Sequence, residues 1–136
     1  MVELWDTSAL IVTSRREEAR LELAAALDND EVTLTEPIVL EYLNGSRNLP
    51  EYERDRRRLG AFRQLTTMPA DWERALEVHH RLAALGAGHQ RSVQLVDLII
   101  AATAERAGLP IVHVDQDYER ISAITEQATR SLRWTA

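Results

Sequence analysis

The chain has 136 residues and a net charge of −6, with 22 acidic side chains, 16 basic ones and no cysteine. That length carries one domain, 1–136, with a core of its own. The missing cysteines exclude disulfides, thiol nucleophiles and Cys-based zinc sites, and the acidic balance speaks against a protein that coats nucleic acid through a basic footprint. Every basic residue is arginine, so the lysine of a Walker loop, a Schiff-base amine and the lysine of an aspartyl-phosphate receiver are all excluded.

In chain order, Leu4-Trp5 ends a short first strand, and Ser8 to Ser14 opens a helix. Arg16 to Leu27 repeats Ala19, Leu23, Ala26 and Leu27 at helical spacing and stops at Asp28-Asn29-Asp30. Val32-Thr33-Leu34 is a second strand, and Glu36-Pro37 starts a helix that breaks at Asn44-Gly45. Pro50 begins a charged helix through about Leu65, followed at Met68-Pro69 by a short strand or a connection. Asp71 to Leu85 is a helix with Trp72, Leu76, His79 and Leu82 on one face, which assigns Trp72, like Trp5, to the core. Gln94 to Ala107 is a strongly apolar helix with Ser92 as its N-cap, stopped by Gly108-Leu109-Pro110. Ile111 to Val114 is the clearest strand, Tyr118 to Ile124 a short helix, and Ser131 to Trp134 a last edge strand. Strands alternating with helices predict an α/β fold, a three-layer α/β/α sandwich around a mostly parallel, short-stranded sheet. No apolar run approaches the ~20 residues of a membrane span. The first residues lack a signal-peptide layout, so the expectation is a cytoplasmic protein with no membrane partner.

Ligands of open parallel sheets sit beyond the carboxyl ends of the strands, which directs attention to the polar residues there. Asp6 follows the first strand, Asp115 and Asp117 follow the Ile111 strand, and Glu41 lies on the helix after the second. Asp6 is either a helix cap or a ligand, and one of Asp115 and Asp117 caps the following helix. Asp97 lies in the apolar run Leu95 to Ala102. A carboxylate buried there must be protonated, paired with an arginine or bound to a metal. Several carboxylates meeting at one place repel one another unless divalent cations hold them. All-oxygen ligands suit Mg²⁺ or Mn²⁺, which activate water for attack on a phosphodiester.

Asp6-Thr7-Ser8-Ala9 after strand one, Glu41, and Val96-Asp97-Leu98-Ile99-Ile100-Ala101-Ala102-Thr103-Ala104 together resemble a PIN domain. Gly108-Leu109-Pro110-Ile111-Val112 and Asp115-Gln116-Asp117-Tyr118 extend the match over nearly the whole chain. In length and motif order it is similar to a VapC-type toxin ribonuclease. The resemblance implies a PIN-like fold and a Mg²⁺-dependent endoribonuclease that cuts RNA as the toxin of a toxin–antitoxin pair. Its implied partners are a VapB-type antitoxin and a second copy in a homodimer. It further implies Asp6 and Asp97 as the firmest metal ligands, with Asp115 and Asp117 also on the metal and Glu41 completing the catalytic acids. Thr7 or Ser8 would orient Asp6 or bind a water or phosphate oxygen, and Thr7 would cap the helix behind it. Tyr118 stands where the family often has Phe, read as a neutral change, and His113-Val114 precede Asp115 where a hydroxyl or basic residue is frequent.

Other residues are better explained without a site. His79 reads as packed on the Trp72 stripe, His80 as surface, and His89 as an exposed loop residue for which contact with substrate is the lesser reading. The run Arg54 to Arg58 is diluted by Glu51, Glu53 and Asp55, so a solvated face is the default, with Arg54 and Arg58 as candidate phosphate guides. The alternative from another class is a non-catalytic interaction module of the same fold, which retention of all the acids disfavours. A haloacid-dehalogenase-like phosphatase requires an aspartate two positions after Asp6, where Ser8 stands.

Overall fold

The computed structural model describes residues 1–132. Its strands are β1 (Glu3–Trp5), β2 (Val32–Thr35), β3 (Arg63–Leu65), β4 (Ile111–His113) and β5 (Thr129–Ser131). They form one sheet in the order β3-β2-β1-β4-β5, parallel at every pairing. The helices are α1 (Thr7–Val12), α2 (Glu17–Asp28), α3 (Glu36–Asn44), α4 (Leu49–Leu59), α5 (Pro69–Ala84), α6 (Leu95–Ala107) and α7 (Gln116–Thr125). No helix among the described residues is long and apolar enough to cross a membrane.

The strand order reverses between β1 and β4, because the chain first builds outward through β2 and β3 and then returns to the other side of β1. Leu4 therefore pairs with Thr33 on one side and Ile111 on the other. Leu4, Trp5, Ile111 and Val112 have no exposed surface, as expected of central parallel strands covered on both faces. α3 packs on α1 and α4, while α5, α6 and α7 pack on one another. By the right-handed rule for parallel crossovers, these two groups belong on opposite faces of the sheet. From α6, Leu98, Ile99 and Ile100 enter the core, each contributing roughly 1.5–3 kcal/mol of burial.

Two expectations are corrected. The helix from Pro50 does not run to Leu65; it ends at Leu59, with Gly60 closing it, and Arg63–Leu65 is a strand paired in parallel with β2. The Gln64 side-chain amide donates to the carbonyls of Leu59 and Phe62 at 3.0 Å each, satisfying acceptors that a continuing helix would have used. Met68-Pro69 is accordingly a connection, with Met68 capping α5 and Pro69 as its first residue. The second correction is the face of α5. Asp71, Ala75, Val78 and Leu82 are buried, whereas Trp72 and Leu76 are 59% and 69% exposed. Asp71 sits inward because Arg106 on α6 meets it through two hydrogen bonds, 2.7 and 3.1 Å long, which a hydropathy stripe does not anticipate. Trp5 is core as expected. The last strand is Thr129–Ser131, and the part of that expectation at Trp134 lies outside the described residues.

Candidate metal centre

Asp6 stands at the carboxyl end of β1, where its backbone N–H donates to Val112 O on β4 at 2.9 Å. It is also the N-cap of α1, so the candidate ligand and the cap are the same residue. Thr7 does not perform the capping. Asp6 Oδ2 accepts from Ser8 N–H at 3.0 Å and from the Ser8 hydroxyl at 2.6 Å. The Ser8 oxygen in turn accepts the Val114 N–H at 2.9 Å, tying the end of β4 to the carboxylate at the end of β1. Thr7 faces elsewhere and donates to Glu41 Oε1 at 3.1 Å, which fixes the α3 acid beside the sheet edge.

On the other side of the strand reversal, Asp115 caps α7 by accepting the Asp117 N–H at 2.9 Å. Asp117 Oδ2 accepts the Gln94 N–H at 2.9 Å, and its Oδ1 meets Arg120 at 3.2 Å. Gln94, not Ser92, is the cap residue of α6, and Ser92 ends a separate 3-10 turn over His89–Ser92. Asp97 therefore lies in the first turn of α6, not a turn beyond it. The helix start is held by a hydrogen bond from Gln94 to Asp117, across 23 residues of sequence.

Asp97, Asp115 and Asp117 each bring a carboxylate oxygen within 4.8 Å of the others. Asp6 joins them through Tyr118, whose buried hydroxyl donates to Asp6 Oδ1 at 2.6 Å and lies 3.1 Å from Asp97 Oδ1. Asp97 Oδ2 is buried and receives no hydrogen bond from an N–H or hydroxyl among the described residues, and no arginine pairs with Asp97 there. Burial first, then a proton shared with the adjacent Asp117 carboxylate, then the Asp6 and Asp115 charges, push the Asp97 carboxyl up to about 9, against an opposing hydrogen bond from Tyr118. Burial first and the Asp6 charge second also raise Glu41, with the Thr7 hydroxyl opposing and Asp115 adding. The Tyr118 phenol is pushed well up by burial and by the Asp6 and Asp97 charges. Asp97, Asp115 and Asp117 are thus the acids brought together within 4.8 Å, with Asp6 and Glu41 close enough to act on their neighbours through charge.

Tyr118 is the residue that sequence reasoning passed over. A fully buried tyrosine needs a partner for its hydroxyl, and that requirement was the available signal. His79 is corrected too: it is not packed in the core but half-buried, lining a groove of about 500 Å³ with Gln90, Arg91, Gln94, Asp115 and Asp117. His89 is exposed, with its Nδ1 hydrogen-bonded to Gly86 O, and it does not line that groove. Arg54 and Arg58 are exposed on α4, where Arg58 donates to the Tyr42 hydroxyl at 3.1 Å.

Residues 4–124 match the PIN domain family. Over 129 residues the chain is 36% identical to ribonuclease VapC18 of Mycobacterium tuberculosis, covering 95% of this chain and 93% of that protein. It is 33% identical over 124 residues to ribonuclease VapC51 of the same organism, covering 91% and 88%. Among solved structures, it is similar to a chain of VapBC2 from Rickettsia felis bound to a promoter DNA fragment. That match has a TM-score of 0.75 at 14% identity over 98% of this chain and 100% of the other. A chain of DNA-bound VapBC from Salmonella typhimurium gives 0.73 at 19% identity, covering 96% and 98%. Identities this low speak to the fold alone.

Proposed function

The chain belongs to the PIN-domain family as a homologue of the VapC ribonuclease toxins of toxin–antitoxin systems, and from this premise we propose that it is an endoribonuclease dependent on a divalent cation. The cation would be held by Asp6, Asp97, Asp115 and Asp117, with Glu41 completing the catalytic acids. The observation that carries this reading is the cluster of carboxylate oxygens from Asp97, Asp115 and Asp117 within 4.8 Å of one another, with Asp97 Oδ2 buried and receiving no hydrogen bond from an N–H or hydroxyl among the described residues. An all-oxygen donor set fits Mg²⁺, with Mn²⁺ as the alternative. When bound, such an ion supplies charge that offsets the carboxylates, acidifies water and polarises the scissile phosphodiester.

The protein's own groups set the geometry. Ser8 orients Asp6 from one side, Tyr118 from the other, and Asp117 pins the start of α6 so that Asp97 faces its neighbours. Thr7 holds Glu41 by Oε1, and the raised affinity of this carboxyl for a proton suits it to accept one from attacking water. Arg91 and His79 on the groove wall offer positive charge and hydrogen bonds to the RNA strand on either side of the cut.

The reading extends to an antitoxin that silences the enzyme, to a homodimer and to a cytoplasmic setting. An acidic pocket accepts a guanidinium bidentately, and the exposed Leu40, Trp72, Leu76 and Leu95 offer apolar surface of the kind that partners cover. The test is purified protein with total RNA, with and without Mg²⁺, followed by mapping of cut ends. Discrete cuts that require the ion and vanish in Asp97→Asn are expected. Cleavage in excess chelator, or by a well-folded Asp97→Asn protein at the wild-type rate, would overturn the assignment.

A further inference from the structure

We propose that the Tyr118 hydroxyl is a positioning group that stands in for the cation between Asp6 and Asp97 and thereby sets how tightly the site binds it; this rests on the metal-site reading above. The hydroxyl donates to Asp6 Oδ1 at 2.6 Å and lies 3.1 Å from Asp97 Oδ1, in a side chain with no exposed surface. The two carboxylates come from β1's end and α6, 91 positions apart, and Tyr118 on α7 is the side chain that touches both. The hydroxyl cannot swing away freely. Its ring is fully buried and packs against His113 on β4, ring centroids 5.3 Å apart and planes tilted by 45°.

A phenol carries one proton and the two acids each offer lone pairs to it. Without a cation, that proton is the positive pole between the Asp6 carboxylate and the Asp97 carboxyl group. A cation held by these acids would draw on the same two carboxyl groups, and the hydrogen bond from the hydroxyl to Asp6 would weaken. Whatever the hydroxyl contributes to the cation-free fold is therefore subtracted from cation affinity, because a ligand's apparent affinity reflects the stability of the state it replaces. The ring alone would fill the same space without this competition. Tyr118 thus keeps the empty site folded and makes the occupied site weaker than its ligands alone would dictate.

The experiment is titration calorimetry with MgCl₂ on wild type and Tyr118→Phe, with melting curves of both in chelator. The expected result is a lower melting midpoint for Tyr118→Phe in chelator, together with Mg²⁺ binding about tenfold tighter, equivalent to about 1.4 kcal/mol. A purely structural role would lower the melting midpoint and leave the dissociation constant unchanged, so equal or weaker Mg²⁺ binding by the variant overturns the proposal. In wild type alone, the buried Tyr118 hydroxyl proton is expected as a downfield NMR resonance that shifts or disappears on adding Mg²⁺; a resonance indifferent to saturating Mg²⁺ overturns the proposal even if Tyr118→Phe does not fold. Absence of Mg²⁺ and Mn²⁺ binding by wild type would overturn the metal-site reading itself, a distinct outcome.

Discussion

Asp97→Asn removes the acid whose proton the cation-free fold must hold at neutral pH. Asp97 is 3% exposed, its folded carboxyl titrates at about 9, and its ordinary value is 3.8. Between those limits the folded state keeps a proton that the unfolded chain has released. Stability from this group is complete below about pH 4 and falls as pH rises towards 9, by up to about 1.4 kcal/mol per pH unit. At pH 7 the loss is at most about 4 kcal/mol, and at pH 5 at most about 2 kcal/mol, because only the distance above the unfolded value counts while the folded value lies higher still. Relaxation and water penetration reduce such figures, so about half is expected: roughly 2 and 1 kcal/mol. Asparagine needs no proton, keeps an oxygen for Tyr118 and offers an N–H towards Asp117. In chelator the variant should therefore be more stable than wild type, by about 6–10 °C in melting midpoint at pH 7 and about 3–5 °C at pH 5, scaling from about 3–5 °C per kcal/mol for this length. Circular-dichroism melts of both proteins in EDTA at pH 5, 6, 7 and 8 measure the trend. A gain independent of pH, or a variant less stable than wild type at pH 8, would refute the burial and charge argument.

Divalent ions should stabilise wild type through the same pocket. For a Kd of ~1 mM and ~10 mM Mg²⁺ the gain is roughly 1.4 kcal/mol, read as a rise of about 4–7 °C that Asp97→Asn loses, Arg57→Ala keeps and matched NaCl does not reproduce. Ser8→Ala strands the Val114 N–H and takes one donor from Asp6, so it should cost about 1–3 kcal/mol and lower the cleavage rate at saturating Mg²⁺; an unchanged rate would show that Ser8 does not orient Asp6. Arg106→Ala leaves Asp71 buried without its guanidinium, and because Arg106 is itself partly exposed the expected cost at pH 7 is about 2 kcal/mol, less than for a fully buried pair. Burial works against the Asp71 charge, yet Arg106 and the Met68 N–H hold its carboxyl below the ordinary 3.8. That stability is present above about pH 4 and lost as pH falls further, so the deficit of Arg106→Ala should narrow in acid melts, and a deficit that persists at pH 2 would contradict it.

Much of this protein was determined by local pattern. The apolar runs at Leu4-Trp5 and Ile111 to His113, the stop at Gly108 and the Pro37 helix start are read from side-chain chemistry within a few residues, and the parallel sheet follows from their alternation. The candidates Asp6, Asp97, Asp115 and Asp117 stood out because strand ends and an apolar helix are where carboxylates need a reason to stand, and the structure brings Asp97, Asp115 and Asp117 together. What remained was decided by partners distant in the chain. Arg63–Leu65 is a strand only because β2 offers it an edge, and α5 turns Asp71 inward and Trp72 outward because Arg106 waits on α6, 35 positions later. The site depended on tertiary structure in the same way. Asp97 has one oxygen that receives no hydrogen bond from an N–H or hydroxyl among the described residues, Gln94 starts its helix on Asp117, and Tyr118 joins two acids. A hydrogen bond is decided by distances of a few tenths of an ångström between groups brought together by packing, and no periodicity along the chain encodes which hydroxyl will arrive beside which carboxylate.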